Sequence, residues 1–213
     1  MMGALKIVSV AIGVAVLVAG GAAIAQYHSI EEPEYDLVDS DGSVELRRYE
    51  PVIVAQTSHA GPREQALGVG FRRLAAYIFA EDRPGAQIAM TSPVLQDQAA
   101  EIAMTAPVLQ AGTGKDVWRT RFVMPRQYTM ATLPAAPDTI ELQEVPGRTV
   151  AAITFSGRGR SEDLMRQEAR LRSWIAERGL TVTGEAEYAF YDAPMVPAPL
   201  RRNEVMIAVS QGE

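Results

Sequence analysis

Side chains able to bind a metal or move a proton are few in this chain. Two thioethers stand in near-identical segments, Ile88-Ala-Met-Thr-Ser-Pro-Val-Leu-Gln96 and Ile102-Ala-Met-Thr-Ala-Pro-Val-Leu-Gln110, which differ only at Ser92 and Ala106. Met90 and Met104 become ligands only where a second donor faces them, and methionine in an apolar run more often fills gaps in a core. Imidazole is confined to His28 and His59. The phenols of Tyr49, Tyr77 and Tyr191 are capable of ligating iron as phenolates, although a half-buried tyrosine usually has its hydroxyl bonded instead. Cysteine is absent, which excludes disulfides, a lipobox and thiolate metal sites. The chain has no Gly-x-Ser-x-Gly elbow, His-Glu-x-x-His pair or Gly-rich phosphate loop. Glu185 and Glu187 alternate onto one strand face, but nothing in the sequence singles them out as an acid–base pair. No structural metal is expected, and the residues point to binding rather than to hydrolytic or phosphoryl chemistry.

The elements that must position these groups follow from periodicity. The repeated segments start fourteen residues apart, an even number, so two strands would turn equivalent side chains to equivalent faces. Pro93 and Pro107 lack a donor, which makes Ile-Ala-Met-Thr the expected paired part and Pro-Val-Leu-Gln its exit. Val44 and Leu46 alternate with Glu45 and Arg47, Pro51 interrupts, and Val52, Val54 and Gln56 alternate in turn. Apolar residues at helical spacing then predict a helix from about Arg63 to Phe79. The order recurs: a strand over Arg148–Ser156, glycines, and a helix capped by Ser161, acidic in its first turn and stopped at Gly179. Aligning Val54-Ala55 with Val150-Ala151 also aligns Gly61 with Gly157. Strands are expected over Val117–Met124, Thr139–Val145, Ala186–Tyr191 and Glu204–Val209. The fold class is therefore α+β, with duplicated βαββ units forming an antiparallel, roughly eight-stranded sheet or open barrel with two flanking helices.

Composition limits the partners. The chain carries a net charge of −6, with 47% hydrophobic residues, enough for a full core. Its arginines at 158, 160, 166, 170 and 172 are interrupted by acids, so no basic face suited to nucleic acid forms. Residues 7–24 carry no charge, and Ala23-Ile24-Ala25 is a small-x-small cleavage pattern. Residues 1–25 thus read as a signal peptide or N-terminal membrane anchor and 26–33 as a linker, leaving 34–213 as the domain. It is expected outside the cytoplasm, periplasmic or extracellular, as a monomer with a membrane tether through residues 7–24 if the signal stays uncleaved.

Six landmarks in order resemble the SOUL heme-binding family: Tyr49-Glu50-Pro51; Phe71-Arg72-Arg73-Leu74 with Tyr77-Ile78; Ile102-Ala-Met-Thr-Ala-Pro-Val108; Phe122-Val-Met-Pro125; Phe155-Ser-Gly157; and Arg201-Arg202-Asn203-Glu204-Val205. The resemblance covers about residues 34–209. It implies reversible binding of heme or a related tetrapyrrole in an apolar groove beside the first helix, as a carrier or buffer. It also implies that Phe71, Leu74, Ala75 and Ile78 face the groove, that Arg73 lies near the propionates, and that Tyr191 and Met195 belong to a loop closing over the ring. Where some members carry a histidine iron ligand this chain has Arg48, and a basic residue of the closing loop is replaced by Val196, so the metal ligand stays unassigned. Two other readings remain open: an enzyme that modifies the tetrapyrrole, for instance by removing its metal with Tyr191 or Glu204 as proton donor, and an effector-binding module for another amphipathic ligand. Arg201-Arg202-Asn203-Glu204 reads first as a set of donors and acceptors pinning the last strand.

The secretory reading predicts that the mature protein begins at or near Gln26. N-terminal sequencing of protein from a membrane-free extract checks this; protein found only in membranes with Met1 intact indicates an anchor.

Overall fold

The computed structural model describes residues 30–99 and 117–211. The expected signal segment, His28 and the second repeated segment with Met104 lie outside the described residues. The chain divides into residues 1–31 and 32–213, and the fold below is that of the second unit.

Alternating segments become strands of one antiparallel sheet: β1 (Tyr35–Asp41), β2 (Val44–Tyr49), β3 (Val52–Ala60), β4 (Val94–Gln98), β5 (Val117–Val123), β6 (Glu141–Val145), β7 (Arg148–Ser156), β8 (Leu180–Phe190) and β9 (Arg202–Gln211). Two helices, α1 (Arg63–Ile78) and α2 (Ser161–Glu177), follow β3 and β7. The strand order is β1-β2-β7-β9-β8-β4-β5-β3-β6. Setting β1 aside, this order maps onto its own reverse when β2, β3, β4 and β5 are exchanged with β6, β7, β8 and β9. The leading strand of each unit pairs with the other unit, β2 on β7 and β6 on β3, which interlocks the halves. The sheet has nine strands rather than about eight, and β1 and β6 leave it open rather than closed as a barrel.

Period-two alternation decides which residues meet the helices. Ala55, Val94 and Phe122 form one buried cluster with Leu74, Tyr77 and Ile78 of α1, and Ile153, Val205 and Ile207 form another with Leu164, Leu171 and Ile175 of α2. The opposite, concave face carries Val54, Leu95, Val123, Val150, Ala152, Ala189 and Met206. Burying one large apolar side chain contributes about 1.5–3 kcal/mol, so α1 is held chiefly by Leu74, Tyr77 and Ile78 and α2 by Leu164, Leu171, Trp174 and Ile175.

Three local expectations change. In the first repeated segment the paired part is Val94–Gln98, not Ile88–Thr91, whose only ladder contact is a bridge at Thr91. Pro93 immediately precedes the strand, where its missing N–H costs no ladder bond, and Val94 and Leu95 gain partners on both β5 and β8. Ser161 does not cap α2. Arg160 is the N-cap, without a side-chain bond, and the Ser161 hydroxyl accepts from Arg63 Nε at 3.1 Å. Strand β8 begins at Leu180, six residues before the expected Ala186, because a register irregularity between Val182 and Ala186 lets it continue along β9.

Gly70 is the contact point of α1 with β5, since a Cβ there would lie 2.5 Å from Thr120 Oγ1 and 2.7 Å from Thr120 Cβ. Gly70→Ala is expected to destabilise the fold by about 1–3 kcal/mol through overpacking, despite alanine's better helix propensity. Gly68→Ala meets only a flexible arginine end at 3.7 Å and should be neutral or stabilising. Urea denaturation of both variants measures the difference.

Candidate functional site

The residues that the family resemblance assigns to the groove fall into three environments. Leu74 and Ile78, expected to face the groove, instead face the sheet and are sealed in the α1 core. Phe71 and Ala75 occupy one flank of the helix, with Phe71 36% exposed and its ring 5.4 Å from that of Phe122 in an edge-on contact. Arg73, two residues and about 200° further round the helix, lies on the other flank, where its Nη1 donates to Thr57 Oγ1 at 3.2 Å. The structure therefore does not bring Arg73 to the side of Phe71. His59 belongs with Arg73: burial, then the nearby guanidinium, hold its pKa below the ordinary value, and its buried Nε2 has no partner.

Tyr191 sits on the concave face, across the sheet from α1, and Met195 projects from the following loop, 85% exposed. The first repeated segment connects the two faces. Ile88 and Met90 pack against the α1 cluster, Thr91 donates to the carbonyl of Val123, and Ser92 donates to the carbonyl of Tyr191 at 3.4 Å. Met90 thus acts as a packing residue at the crossing.

The phenols are engaged. Tyr77 donates to the carbonyl of Pro134 at 2.8 Å and Tyr191 to Glu204 Oε2 at 2.8 Å, while Tyr49 accepts from Arg47 Nη1 at 3.1 Å. Burial pushes the Tyr49 phenol up to about 12 and Tyr191 higher still, aided by the Glu204 carboxylate, so both are neutral at physiological pH. Glu204 is buried and accepts from Arg47 Nη1 at 2.7 Å, Arg47 Nη2 at 3.1 Å, Tyr191 and Thr154. Four donors occupy the two oxygens of this carboxylate, which makes it a structural acceptor. This geometry does not equip Glu204 to deliver a proton.

Further along the same face Asp97 pairs with Arg119 and lies 3.3 Å from Arg121, while Glu187 takes both Nη atoms of Arg148 at 2.5 and 2.7 Å and lies 3.2 Å from Arg121. Burial raises the Glu187 pKa, but Arg148 and Arg121 outweigh it and the net direction is downward. Glu185 stays exposed, so the two acids do not form a pair. No local pattern signals this network, because its partners are joined only by the sheet. The Arg201–Glu204 run does pin the last strand: Arg201 Nε donates to the carbonyl of Val196 at 2.7 Å and Asn203 Nδ2 to that of Gly157 at 3.0 Å. Among the described residues no cluster of three or more His, Asp or Glu side chains is placed to hold a metal ion.

The family model for SOUL heme-binding protein matches residues 30–208. The chain belongs to this family. It is 28% identical over 184 residues to heme-binding protein 1 of Xenopus laevis, covering 83% of this chain and 90% of that one. The mouse heme-binding protein 1 is 24% identical over 147 residues, 68% and 73% of the two chains. Among solved structures, the C-terminal domain of EcmrR superposes with a TM-score of 0.57 at 14% identity, covering 83% of this chain and 98% of that domain. A hydrolase from Listeria innocua gives 0.54 at 10% identity, with 81% and 94% covered. At these identities the structural likenesses show a shared fold alone.

The Arg47–Glu204 pair predicts a non-additive response. Arg47→Met should cost about 3–5 kcal/mol by leaving a buried carboxylate uncompensated, and adding Glu204→Leu should recover most of that loss. Chemical denaturation of the two single variants and the double variant measures the coupling.

Proposed function

We propose that this SOUL-family domain binds heme or a related tetrapyrrole reversibly, as a carrier or buffer, on the flank of α1 that carries Phe71 and Ala75. The observation that carries this reading is an apolar surface laid over a sealed floor. Phe71 is exposed on the helix and Phe79 at its C-cap, Leu67 and Met90 are half-buried, and Leu74 and Ile78 close the core beneath. A porphyrin needs aliphatic and aromatic walls more than it needs a metal bond, because burial contributes roughly 25 cal/mol per Å² of apolar area. The bonded phenols of Tyr77 and Tyr191 and the placement of His59 on the Arg73 flank favour binding without a protein ligand to the iron. Met195, on the exposed loop after β8, is the residue proposed to close over the ring.

The same reading places the domain outside the cytoplasm, delivered by residues 1–25. It acts there as a monomer, because both sheet edges carry carboxylates that oppose self-pairing: Asp36, Asp39 and Asp41 on β1, and Glu141 and Glu144 on β6.

Hemin titration followed by its Soret band tests the site. Phe71→Asp should weaken hemin and metal-free protoporphyrin alike, by at least about tenfold, because it sets a charge in the apolar wall. His59→Ala should leave the hemin spectrum and affinity unchanged. Loss of hemin binding in His59→Ala, with Phe71→Asp unaffected, would move the site to the opposite flank and overturn the groove.

A further inference from the structure

The concave face holds a second cleft, separate from the α1 flank. Tyr35, Tyr49 and Tyr191 form its aromatic side, Leu95, Val123 and Met206 its floor, and Glu32, Glu50 and Arg148 are its charged lining. Its volume is about 50 Å³, far below the roughly 300–1,000 Å³ of pockets that enclose drug-sized ligands. An enclosed volume this small suits a compact head group and does not bury a macrocycle.

Charge and ring geometry select the sign of that group. Glu32, Glu45, Glu50 and Glu204 surround the tyrosines against only Arg47 and Arg202, a balance of two negative charges. Arg148 belongs to the neighbouring network, where Arg119, Arg121 and Arg148 face Asp97 and Glu187, so the two groups together keep a balance of one negative charge. Two of the three rings already hold a cation on their faces, with the Arg47 guanidinium carbon 4.5 Å from the Tyr35 centroid and that of Arg202 3.5 Å from the Tyr191 centroid. Arg47 is locked by Glu204, but Arg202 is not. Its side chain is 42% exposed and is tied to Glu32 at the rim, at 2.5 Å. Arg202 is thus a removable cation over an aromatic face.

We propose that this cleft takes a compact organic cation, a quaternary ammonium head group, walled by Tyr49 and Tyr191 and balanced by Glu32 and Glu50, which displaces the Arg202 guanidinium. A quaternary ammonium keeps its charge at every pH and sheds water cheaply, so it competes for a tyrosine face where a hydrated ammonium does not. Arg202 is then a built-in competitor that the ligand must expel.

Calorimetric titration of the full-length chain with choline, and with dimethylbutanol as its neutral carbon isostere, tests the assignment. Choline should bind saturably and the isostere at least about tenfold more weakly. Arg202→Gln should tighten choline binding several-fold by removing the competitor, and Glu50→Gln should weaken it several-fold. Both side chains are at the surface, so circular dichroism should show both variants folded. Equal binding of choline and its isostere, absence of saturable choline binding, or Arg202→Gln binding no tighter than the parent would overturn the proposal.

Discussion

The carboxylate of Glu204 is the point on which the two halves of the domain depend. It sits on β9 in the second half and is satisfied by Arg47 on β2 of the first, by Thr154 on β7, and by Tyr191 after β8. Leaving this buried charge without Arg47 costs several kcal/mol, and slipping β2 by one residue would turn Arg47 to the other face. The pair therefore fixes both the register of β2 and its attachment to the opposite unit. That exchange of leading strands is what makes one sheet of the two units.

A second buried arginine ties the halves together on the helix side. Arg63, in the first turn of α1, donates to Gln96 Oε1 at 3.1 Å, to the carbonyl of Gly159 at 2.9 Å and to Ser161 Oγ at 3.1 Å, and so reaches the start of α2. Gln96 returns a bond to the carbonyl of Arg63 at 3.0 Å. Gly159, at a φ of 62°, supplies that carbonyl from the left-handed region, and a Cβ there would meet the Phe190 ring at 2.8 Å. The two arginines act on opposite faces of the sheet, and each spans the join between the units.

This division separates two kinds of surface. On the helix side α1 and α2 cover the sheet, and Phe71 stays exposed on one flank of α1. Among the described residues no helix covers the concave side, and its charges meet one another in ion pairs. The result is two ion-pair networks with an apolar strip between them. The segment Ile88–Pro93 is the physical link between the surfaces, packed under α1 at one end and against Tyr191 at the other.

Much of the fold was legible in the chain because it rests on local rules. Period-two alternation marked the strands, helical spacing marked Arg63–Phe79, and the matched spacing of Gly61 and Gly157 marked two similar units. The family followed from short motifs in order. What the sequence lacked was any signal for pairings between distant residues. Strand β1 was missed because all seven of its residues are exposed, so no buried face imposed an alternation. Ser161 looked like a cap because residue type cannot register that Arg63, far away in sequence, claims its hydroxyl. The placement of Phe71 and Arg73 on different flanks, and of Tyr191 across the sheet from α1, depended on which side of α1 meets β3 and which meets β5. Only the packed structure decides that, since a helix shows its neighbours nothing until it is docked.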